Sequence, residues 1–340
     1  MSRTFVDSPA IREKTPLLLG LIGPSGTGKT MSALRLGTGI QRVTGGDIFV
    51  IDTEARRSLH YAPSPGTTAK PPETFKFTHV PFGAPFSPLD YLEAIEHCAK
   101  KGAKIIIVDS MSHEHESVGG VLEEHASETK RLAKLWGVSE SKAQMSAWSE
   151  PKKKRRRLIN AVLQMDCNFI FCWRAKEKLK IKPGKDPEAL GMMPIAGEEF
   201  VYEMVLKCLL MPGANGFPTW KSEYAGEQMM MKIPQQFRHL FKEPAQLSED
   251  IGEALAKWAA GGPGEKRQPV DISKLLAQYE ACSDAATLRV LEEERRAIWA
   301  GASKDDKARL KTAADEASKR IDDATAANGG AESEDRADIE

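Results

Sequence analysis

The sequence predicts an α/β fold with a mostly parallel, twisted sheet and a small helical appendage at the C-terminus. Two observations support this prediction. Short apolar runs of buried-strand length alternate with segments of helical periodicity between residues 17 and 173, as they do in parallel βαβ units. After a glycine-rich break at residues 261–264, the apolar residues keep only helical spacing.

A glycine-rich segment follows the first apolar run, which covers residues 17–22, and a helical repeat begins directly after it. The segment matches the pattern G-x-x-x-x-G-K-[ST] with the residues Gly23, Pro24, Ser25, Gly26, Thr27, Gly28, Lys29 and Thr30. Its glycines let successive backbone N–H groups turn toward phosphate oxygens. We therefore predict that these residues bind ATP, with Lys29 at the β- and γ-phosphates and Thr30 holding Mg²⁺. The alternative is a chance match, which the flanking strand and helix disfavour.

Three later apolar runs also end in polar residues. Residues 48–52 end at Asp52 and are followed by Glu54; residues 104–109 end at Asp109; residues 168–173 end before Arg174. Strand ends of a parallel sheet meet at one edge, where ligands bind. We predict that Asp109 lies beside Thr30 and binds Mg²⁺ through water, the alternative being an unrelated strand end.

Composition limits the class of protein. Forty-eight basic and 48 acidic residues give a formal net charge of zero, so any binding to nucleic acid must come from a local patch. The five cysteines are scattered and form no C-x-x-C pair, which favours reduced thiols over a disulfide framework or a zinc site. No apolar run has signal-peptide or membrane-span length, so we expect a cytoplasmic protein.

Two charged clusters are candidate sites. Residues 112–116 contain the spacing H-x-H at His113 and His115, which predicts a polar loop near the nucleotide or DNA or, as the alternative, a metal site. A run of six cations is predicted to contact the phosphates of single-stranded DNA, and a solvated face is its alternative. These cations are Lys152, Lys153, Lys154, Arg155, Arg156 and Arg157.

The segments around these clusters have weaker patterns. We expect a helix over residues 140–166, a mobile loop over 175–197, and short antiparallel strands at 201–211, 218–224 and 229–233. The predicted organisation is an N-terminal arm at 1–15, an ATPase core at 16–262, a helical domain at 263–325 and a disordered acidic tail at 326–340.

Taken together, the motifs at residues 23–30, 51–54, 107–110 and 173–174 resemble the RecA fold, over roughly residues 16–235. More narrowly, the chain resembles the phage-encoded RecA-like AAA-type ATPases. The resemblance implies that Glu54 activates the attacking water, from the end of the strand next to the phosphate loop. Glu114 is the alternative for that role, and Arg174 matches a catalytic sensor of the γ-phosphate.

The resemblance also implies a homo-oligomer that holds single-stranded DNA on the loop after Ser110 and on the loop at 175–197. The lysines of the second loop that fit this role are Lys176, Lys178, Lys180, Lys182 and Lys185. Lys221 falls where the family often has Lys-x-Arg; the arginine is absent here, which puts activation of a neighbouring subunit in doubt.

These expectations define a phage DNA recombination ATPase that acts on single-stranded DNA. A nucleotide-dependent motor or loader of the helicase or packaging type is one alternative. A P-loop kinase is another, and a protein that binds ATP only as a structural switch is a third.

Overall fold

The computed structural model describes residues 10, 12–181, 186–241, 244–261, 272–299 and 304–331. The chain divides into two compact units, Met1–Gly262 and Pro263–Glu340. The first unit contains the sheet and the glycine-rich segment.

The described part of the first unit contains a seven-stranded sheet. Its strands are β1 (Leu18–Gly23), β2 (Asp47–Asp52), β3 (Thr78–Pro81), β4 (Ala103–Asp109), β5 (Asn168–Lys180), β6 (Glu188–Pro194) and β7 (Leu206–Leu209). The order is β3-β2-β4-β5-β1-β7 with all pairs parallel, and β6 pairs antiparallel with β5. This order is typical of RecA-like P-loop cores, so the predicted fold class is confirmed.

Helices cover both faces of the sheet. In the described part of this unit they are α1 (Lys29–Thr44), α2 (Pro88–Lys100), α3 (His113–Glu116), α4 (Val121–Trp136), α5 (Glu140–Ala143), α6 (Ser149–Gln164), α7 (Glu198–Tyr202), α8 (Ala225–Met229) and α9 (Glu249–Ala259). Short 3₁₀ turns lie at Arg57–Tyr61, Ser146–Trp148 and Gln235–Phe241.

The core has two layers because successive side chains of a strand point to opposite faces. Along β1, Leu19 and Leu21 pack in the layer under α1 and α9, whereas Leu18 and Ile22 pack in the layer with α2 and α6. All strand residues of β1 are buried, which is expected for a strand covered on both faces.

The register of the sheet brings the polar strand ends to one edge. Gly23 at the end of β1 is paired with Arg174 in β5, and Asp52 at the end of β2 is paired with Asp109 at the end of β4. Strand β5 lies between β1 and β4 in the sheet. The glycine-rich segment and Asp109 therefore face each other across the end of β5.

Several local predictions were wrong. The predicted mobile loop at 175–197 is mainly a hairpin: β5 continues past the core to Lys180, and β6 returns to Pro194 in antiparallel register. The predicted helix at 140–166 is broken into α5, a 3₁₀ turn and α6. The short antiparallel strands predicted between residues 201 and 233 are replaced by α7, by β7, which is parallel to β1, and by α8. Two isolated bridges in this described segment, Lys207 to Lys232 and Leu209 to Thr219, are antiparallel.

The second unit contains the predicted C-terminal helices, α10 (Ser273–Ala281), α11 (Ala285–Trp299) and α12 (Lys304–Ala331). Leu275, Tyr279, Leu291, Leu310 and Ala317 form part of its own apolar core. Helix α12 extends into the segment predicted to be a disordered tail, and residues 332–340 of that tail lie outside the described residues.

Candidate nucleotide-binding site

A cavity of about 520 Å³ lies at the carboxyl edge of the sheet. This volume is in the range of small-molecule sites, roughly 300–1,000 Å³. The residues that line it come from the glycine-rich segment, from the turn after β2 and from the ends of β4 and β5. They are Ser25, Gly26, Gly28, Lys29, Thr30, Glu54, Arg57, His60, Tyr61, Asp109 and Arg174.

The glycine-rich segment forms a tight turn between β1 and α1. Gly28 has φ = 90°, and a Cβ atom on it would lie 2.9 Å from the backbone nitrogen of Gly216. That nitrogen donates a hydrogen bond to the carbonyl of Thr27 at 3.2 Å. Only glycine suits this position, because a side chain would be strained in this backbone conformation and would also clash. The turn thus leaves the cradle for phosphate oxygens open at the N-terminus of α1.

Lys29 is 8% exposed, and its ammonium group lies within the turn. Nζ donates to the carbonyl oxygens of Gly23 at 2.8 Å and Pro24 at 2.6 Å. Burial lowers the pKa of Lys29 from its ordinary value, and the nearby carboxylates of Asp109 and Glu54 act against this shift. A cation held in this way can exchange two carbonyl partners for phosphate oxygens, which are stronger acceptors.

Thr30 and Asp109 lie together, as the sequence predicts. The Thr30 hydroxyl donates to Asp109 Oδ2 at 2.5 Å. Asp109 is 5% exposed, and burial raises its pKa to about 6, although the hydrogen bond from Thr30 acts against the rise. A hydroxyl and a carboxylate at the phosphate cradle are the oxygen ligands that Mg²⁺ takes in P-loop sites, so these residues fit the ion.

Glu54 lines the same cavity and follows the predicted strand, but that strand is not next to the phosphate loop in the sheet. It follows β2, which pairs with β3 and β4, whereas the neighbours of β1 are β5 and β7. Its carboxylate reaches the cavity because the chain turns after β2, with Ala55 and Arg56 both at positive φ. Arg174 then binds it with two parallel hydrogen bonds, from Nε at 2.7 Å and from Nη2 at 2.5 Å.

Asp52 holds this turn in place, a role that sequence reasoning missed. Its carboxylate accepts from the backbone N–H of Glu54 at 2.8 Å and from the backbone N–H and hydroxyl of Ser58 at 3.0 and 2.5 Å. His79 Nε2 lies 3.2 Å from the same carboxylate. The buried acid therefore fixes the path of residues 52–58, and with it the position of Glu54. The sequence Asp-x-Glu at the end of the strand could have indicated this role, because an Asp side chain often accepts a hydrogen bond from the backbone N–H two residues later.

Glu114, the alternative for activating water, does not line the cavity. It is 3% exposed and forms two hydrogen bonds with Arg155, from Nε at 2.9 Å and from Nη2 at 2.8 Å. Burial raises the pKa of Glu114, and Arg155 opposes that rise. The prediction that all six cations of the basic run contact DNA is therefore wrong for Arg155. Its side chain is buried and hydrogen-bonded to Glu114, so it is not exposed to bind DNA.

The two histidines near Glu114 face different partners. His113 Nδ1 lies 2.8 Å from Thr53 Oγ1, and His115 Nδ1 accepts from Arg155 Nη2 at 3.0 Å. Burial lowers the pKa of His115 to about 4. Among the described residues, no group of His, Cys, Asp and Glu has an arrangement that could hold a metal ion by itself, so the alternative of an H-x-H metal site finds no support.

Arg57, His60 and Tyr61 also line the cavity and were missed from the sequence. They belong to the 3₁₀ turn directly after Glu54, and that closeness in sequence was the available signal. His60 and Tyr61 carry aromatic rings, a type of side chain on which a flat base can stack.

The described lysines that were predicted to contact DNA or a neighbouring subunit do not line this cavity. On the hairpin, Lys176 and Lys180 are exposed, Lys178 is half-buried, and Lys176 pairs with Glu116 at 3.3 Å. Lys182 and Lys185 are outside the described residues. Lys221 is exposed on the chain between β7 and α8.

Comparison with protein families agrees with this geometry. A family model described as AAA domain matches residues 15–206, more than half of the chain. The chain belongs to the AAA domain family. It is an ATP-binding protein of that family, which generally binds ATP with Mg²⁺ and for which ATPase activity is implied. A search of curated proteins found no match. No helix in the described part of the chain combines the length and the apolar character that crossing a membrane requires.

Proposed function

We propose that this AAA-domain protein hydrolyses ATP with Mg²⁺ and uses the cycle in a phage DNA recombination step on single-stranded DNA. The main observation in support of ATP hydrolysis is that one cavity is lined by Lys29, Thr30, Asp109 and Glu54. This set contains a phosphate-binding cation, two oxygen ligands for Mg²⁺ and a carboxylate that can act as a base.

The residues divide the work as follows. The backbone of residues 23–30 and Lys29 bind and orient the phosphates. Thr30 and Asp109 would hold Mg²⁺, which neutralises charge on the phosphates when bound. Glu54 accepts a proton from the attacking water. It is better placed for this role than Glu114, because Glu54 lines the nucleotide cavity whereas Glu114 is buried outside it.

Arg174 positions Glu54 and can also sense the phosphates. Its bonds to Glu54 use Nε and Nη2, so Nη1 remains to face a phosphate oxygen. Arg174 belongs to β5, the strand that continues into the hairpin. This continuity supports the proposal that loss of the γ-phosphate changes the conformation of the β5–β6 hairpin.

Single-stranded DNA is the proposed partner at this hairpin. Lys176 and Lys178 alternate along β5 and so share one side of the strand, where they suit a phosphate backbone. A homo-oligomer belongs to the same proposal, in which the exposed Lys221 would contact a neighbouring subunit.

The test is ATP hydrolysis by the purified chain with and without single-stranded DNA across a salt series. Stimulation by DNA that weakens with salt supports the proposal, and strand separation would then indicate a helicase-type motor instead. Turnover that requires a small acceptor would indicate a kinase. A chain that binds ATP but turns it over under none of these conditions would contradict the proposal.

Two substitutions locate the chemistry. Lys29→Ala should abolish ATP binding or turnover, whereas Glu54→Gln should keep binding and lower kcat by about 100-fold or more, the usual contribution of a positioned base. Glu93→Gln, an exposed acid on α2, is the matched control and should have no effect. Normal turnover by Glu54→Gln would move the water-activating role to another residue, with Glu114 tested next.

A further inference from the structure

The six consecutive cations of helix α6 fall into two sets that differ in burial. Two of them are turned toward carboxylates of other elements: Arg155 pairs with Glu114 in the interior, and Lys154 pairs with Glu124 of α4. The remaining four are exposed. These four are Lys152, Lys153, Arg156 and Arg157. The inward pairs anchor the helix, which fixes the side of α6 on which the exposed cations lie.

Three of the exposed cations form one stripe. Lys153, Arg156 and Arg157 have the spacing i, i+3, i+4, which places them on a single helical face, and Asn160 continues that face at i+7. The buried residues of α6, among them Leu158 and Val162, lie on the opposite face. The stripe therefore points away from the core.

The stripe is poorly neutralised. Within the described residues, neither Arg156 nor Arg157 has a carboxylate oxygen within 4.0 Å. Lys153 lies 3.7 Å from Glu150, and both side chains are more than half exposed, so this pair contributes little. Like charges at i, i+3 and i+4 repel one another on a helix. In a chain with zero net charge, this local excess of positive charge attracts anionic groups to this face of α6.

The stripe also lines a groove of about 510 Å³ where the first turn of α2 meets α6. Leu89 of α2 supplies an apolar contact, and Asn160 lies at the end of the cationic row. Glu150 also lines the groove, so the lining has one carboxylate against four cations. Guanidinium groups bind phosphate oxygens with paired hydrogen bonds, an amide can contact a phosphate or a base edge, and an apolar wall suits a sugar or a base. From residue 153 to residue 160 the helix rises about 10 Å, enough for two or three phosphates of one strand.

From these observations we propose that this groove binds the sugar–phosphate backbone of single-stranded nucleic acid through Lys153, Arg156 and Arg157. The proposal rests on the nucleic-acid part of the proposed function, but the surface is separate from the nucleotide cavity and from the hairpin. The proposal gives a function to the cations of the basic run that do not pair with carboxylates of other helices, as Lys154 and Arg155 do.

The experiment compares two triple variants in the full chain. Lys153→Gln/Arg156→Gln/Arg157→Gln removes the stripe, and Lys130→Gln/Arg131→Gln/Lys134→Gln removes three exposed cations from α4, with the same change in net charge. Binding of a fluorescein-labelled 30-residue oligothymidylate is followed by anisotropy from 50 to 300 mM NaCl. Binding of a fluorescent ATP analogue and ATP turnover without DNA are measured alongside.

The stripe variant should lose at least about tenfold in affinity at 100 mM salt. Its plot of log K against log salt concentration should be shallower by about two, since each phosphate contact contributes about 0.7 to the slope. The α4 variant should change affinity less than threefold, and both variants should bind and hydrolyse ATP as the parent does.

Three outcomes would overturn the proposal. Equal losses in both variants would mean that only net charge matters, and unchanged affinity in the stripe variant would exclude the groove. Binding of polyglutamate by the parent, with no binding of the oligonucleotide, would assign the stripe to an acidic protein partner. If the parent and the variants lack ATP turnover while the stripe variant alone loses DNA binding, the groove stands and only the ATPase proposal fails.

Discussion

Replacement of Arg155 by methionine tests the buried pair between α6 and α3. The side chains of Arg155 and Glu114 are 7% and 4% exposed, and two hydrogen bonds of 2.9 and 2.8 Å join them. Methionine keeps most of the aliphatic stem but removes the guanidinium group, so the Glu114 carboxylate is left buried without its partner. The contact of Arg155 with Gly197 is lost as well, where a Cβ atom would lie only 1.9 Å from Nη1.

Removal of one partner from a buried ion pair costs about 3–5 kcal/mol of unfolding free energy. For a unit of this size, each kcal/mol lowers Tm by about 2–4 °C, so the expected loss is roughly 6–20 °C. Replacing both partners, in Arg155→Met/Glu114→Leu, should recover most of this loss, because an apolar pair of similar volume avoids burying a charge.

The loss should depend on pH in a defined direction. Burial raises the pKa of Glu114 in the folded protein even with Arg155 present, and without Arg155 it rises further. A carboxyl group whose pKa is higher in the folded state than in the unfolded state makes stability fall as pH rises between those two values. The deficit of Arg155→Met relative to the parent should therefore be larger at pH 8 than at pH 6.

Thermal unfolding followed by circular dichroism at pH 6 and pH 8 measures these effects. Arg156→Met is the matched control, since it makes the same change one position along α6 at an exposed site and should alter stability by less than about 0.5 kcal/mol. An Arg155→Met variant that melts within 1 °C of the parent at pH 8 would refute the reasoning. So would a double variant that is less stable than either single variant.

Two further predictions concern the buried Lys207 and the glycine at position 28. Lys207→Met should stabilise the fold by about 1–3 kcal/mol at pH 7, because burial lowers the pKa of Lys207 to about 8 and the folded state must hold an unfavourable charge. The gain should shrink as pH rises from 8 toward the unfolded pKa, and an unchanged gain in melting experiments at pH 7 and pH 9 would contradict it. Gly28→Ala should weaken binding of a fluorescent ATP analogue at least tenfold, more than Gly26→Ala does, because both positions have positive φ but only Gly28 has a backbone neighbour where the methyl group would go. Equal effects of the two substitutions would show that the contact with Gly216 is unimportant.

The parts of the site that could be predicted are those set by local sequence and by the geometry of parallel strands. Residues 23–30 carry their own turn, strand and helix signals, and Asp109 ends a buried strand of the same sheet. Because parallel strands end at one edge, the contact between Thr30 and Asp109 follows once both strands are recognised.

The missed features depend on contacts far apart in sequence. Nothing local in the basic run distinguishes Arg155 from its neighbours; its burial follows from Glu114, 41 residues earlier. The hairpin at β5 and β6 was taken for a loop because both of its faces are largely exposed, so the sequence there has no alternating apolar residues. β-Pairing with the continuation of a buried strand gives the segment its structure, despite a composition of Lys, Pro and Gly.

The position of Glu54 shows how the fold compensates for a strand that is not adjacent to the phosphate loop. Strand β2 is separated from β1 by β4 and β5, so a residue at its end is too far along the sheet to face the phosphates directly. The chain turns after Asp52, whose carboxylate accepts hydrogen bonds from the backbone N–H groups of Glu54 and Ser58. This turn places the Glu54 side chain in the cavity at the carboxyl edge of the sheet. Arg174, level with Gly23 on the intervening strand, then binds the carboxylate at the mouth of the cradle. The position of Glu54, the proposed base, thus depends on a buried acid that does not line the cavity. If Glu54 is the base, we expect a change at Asp52 to lower ATP turnover through the geometry of Glu54.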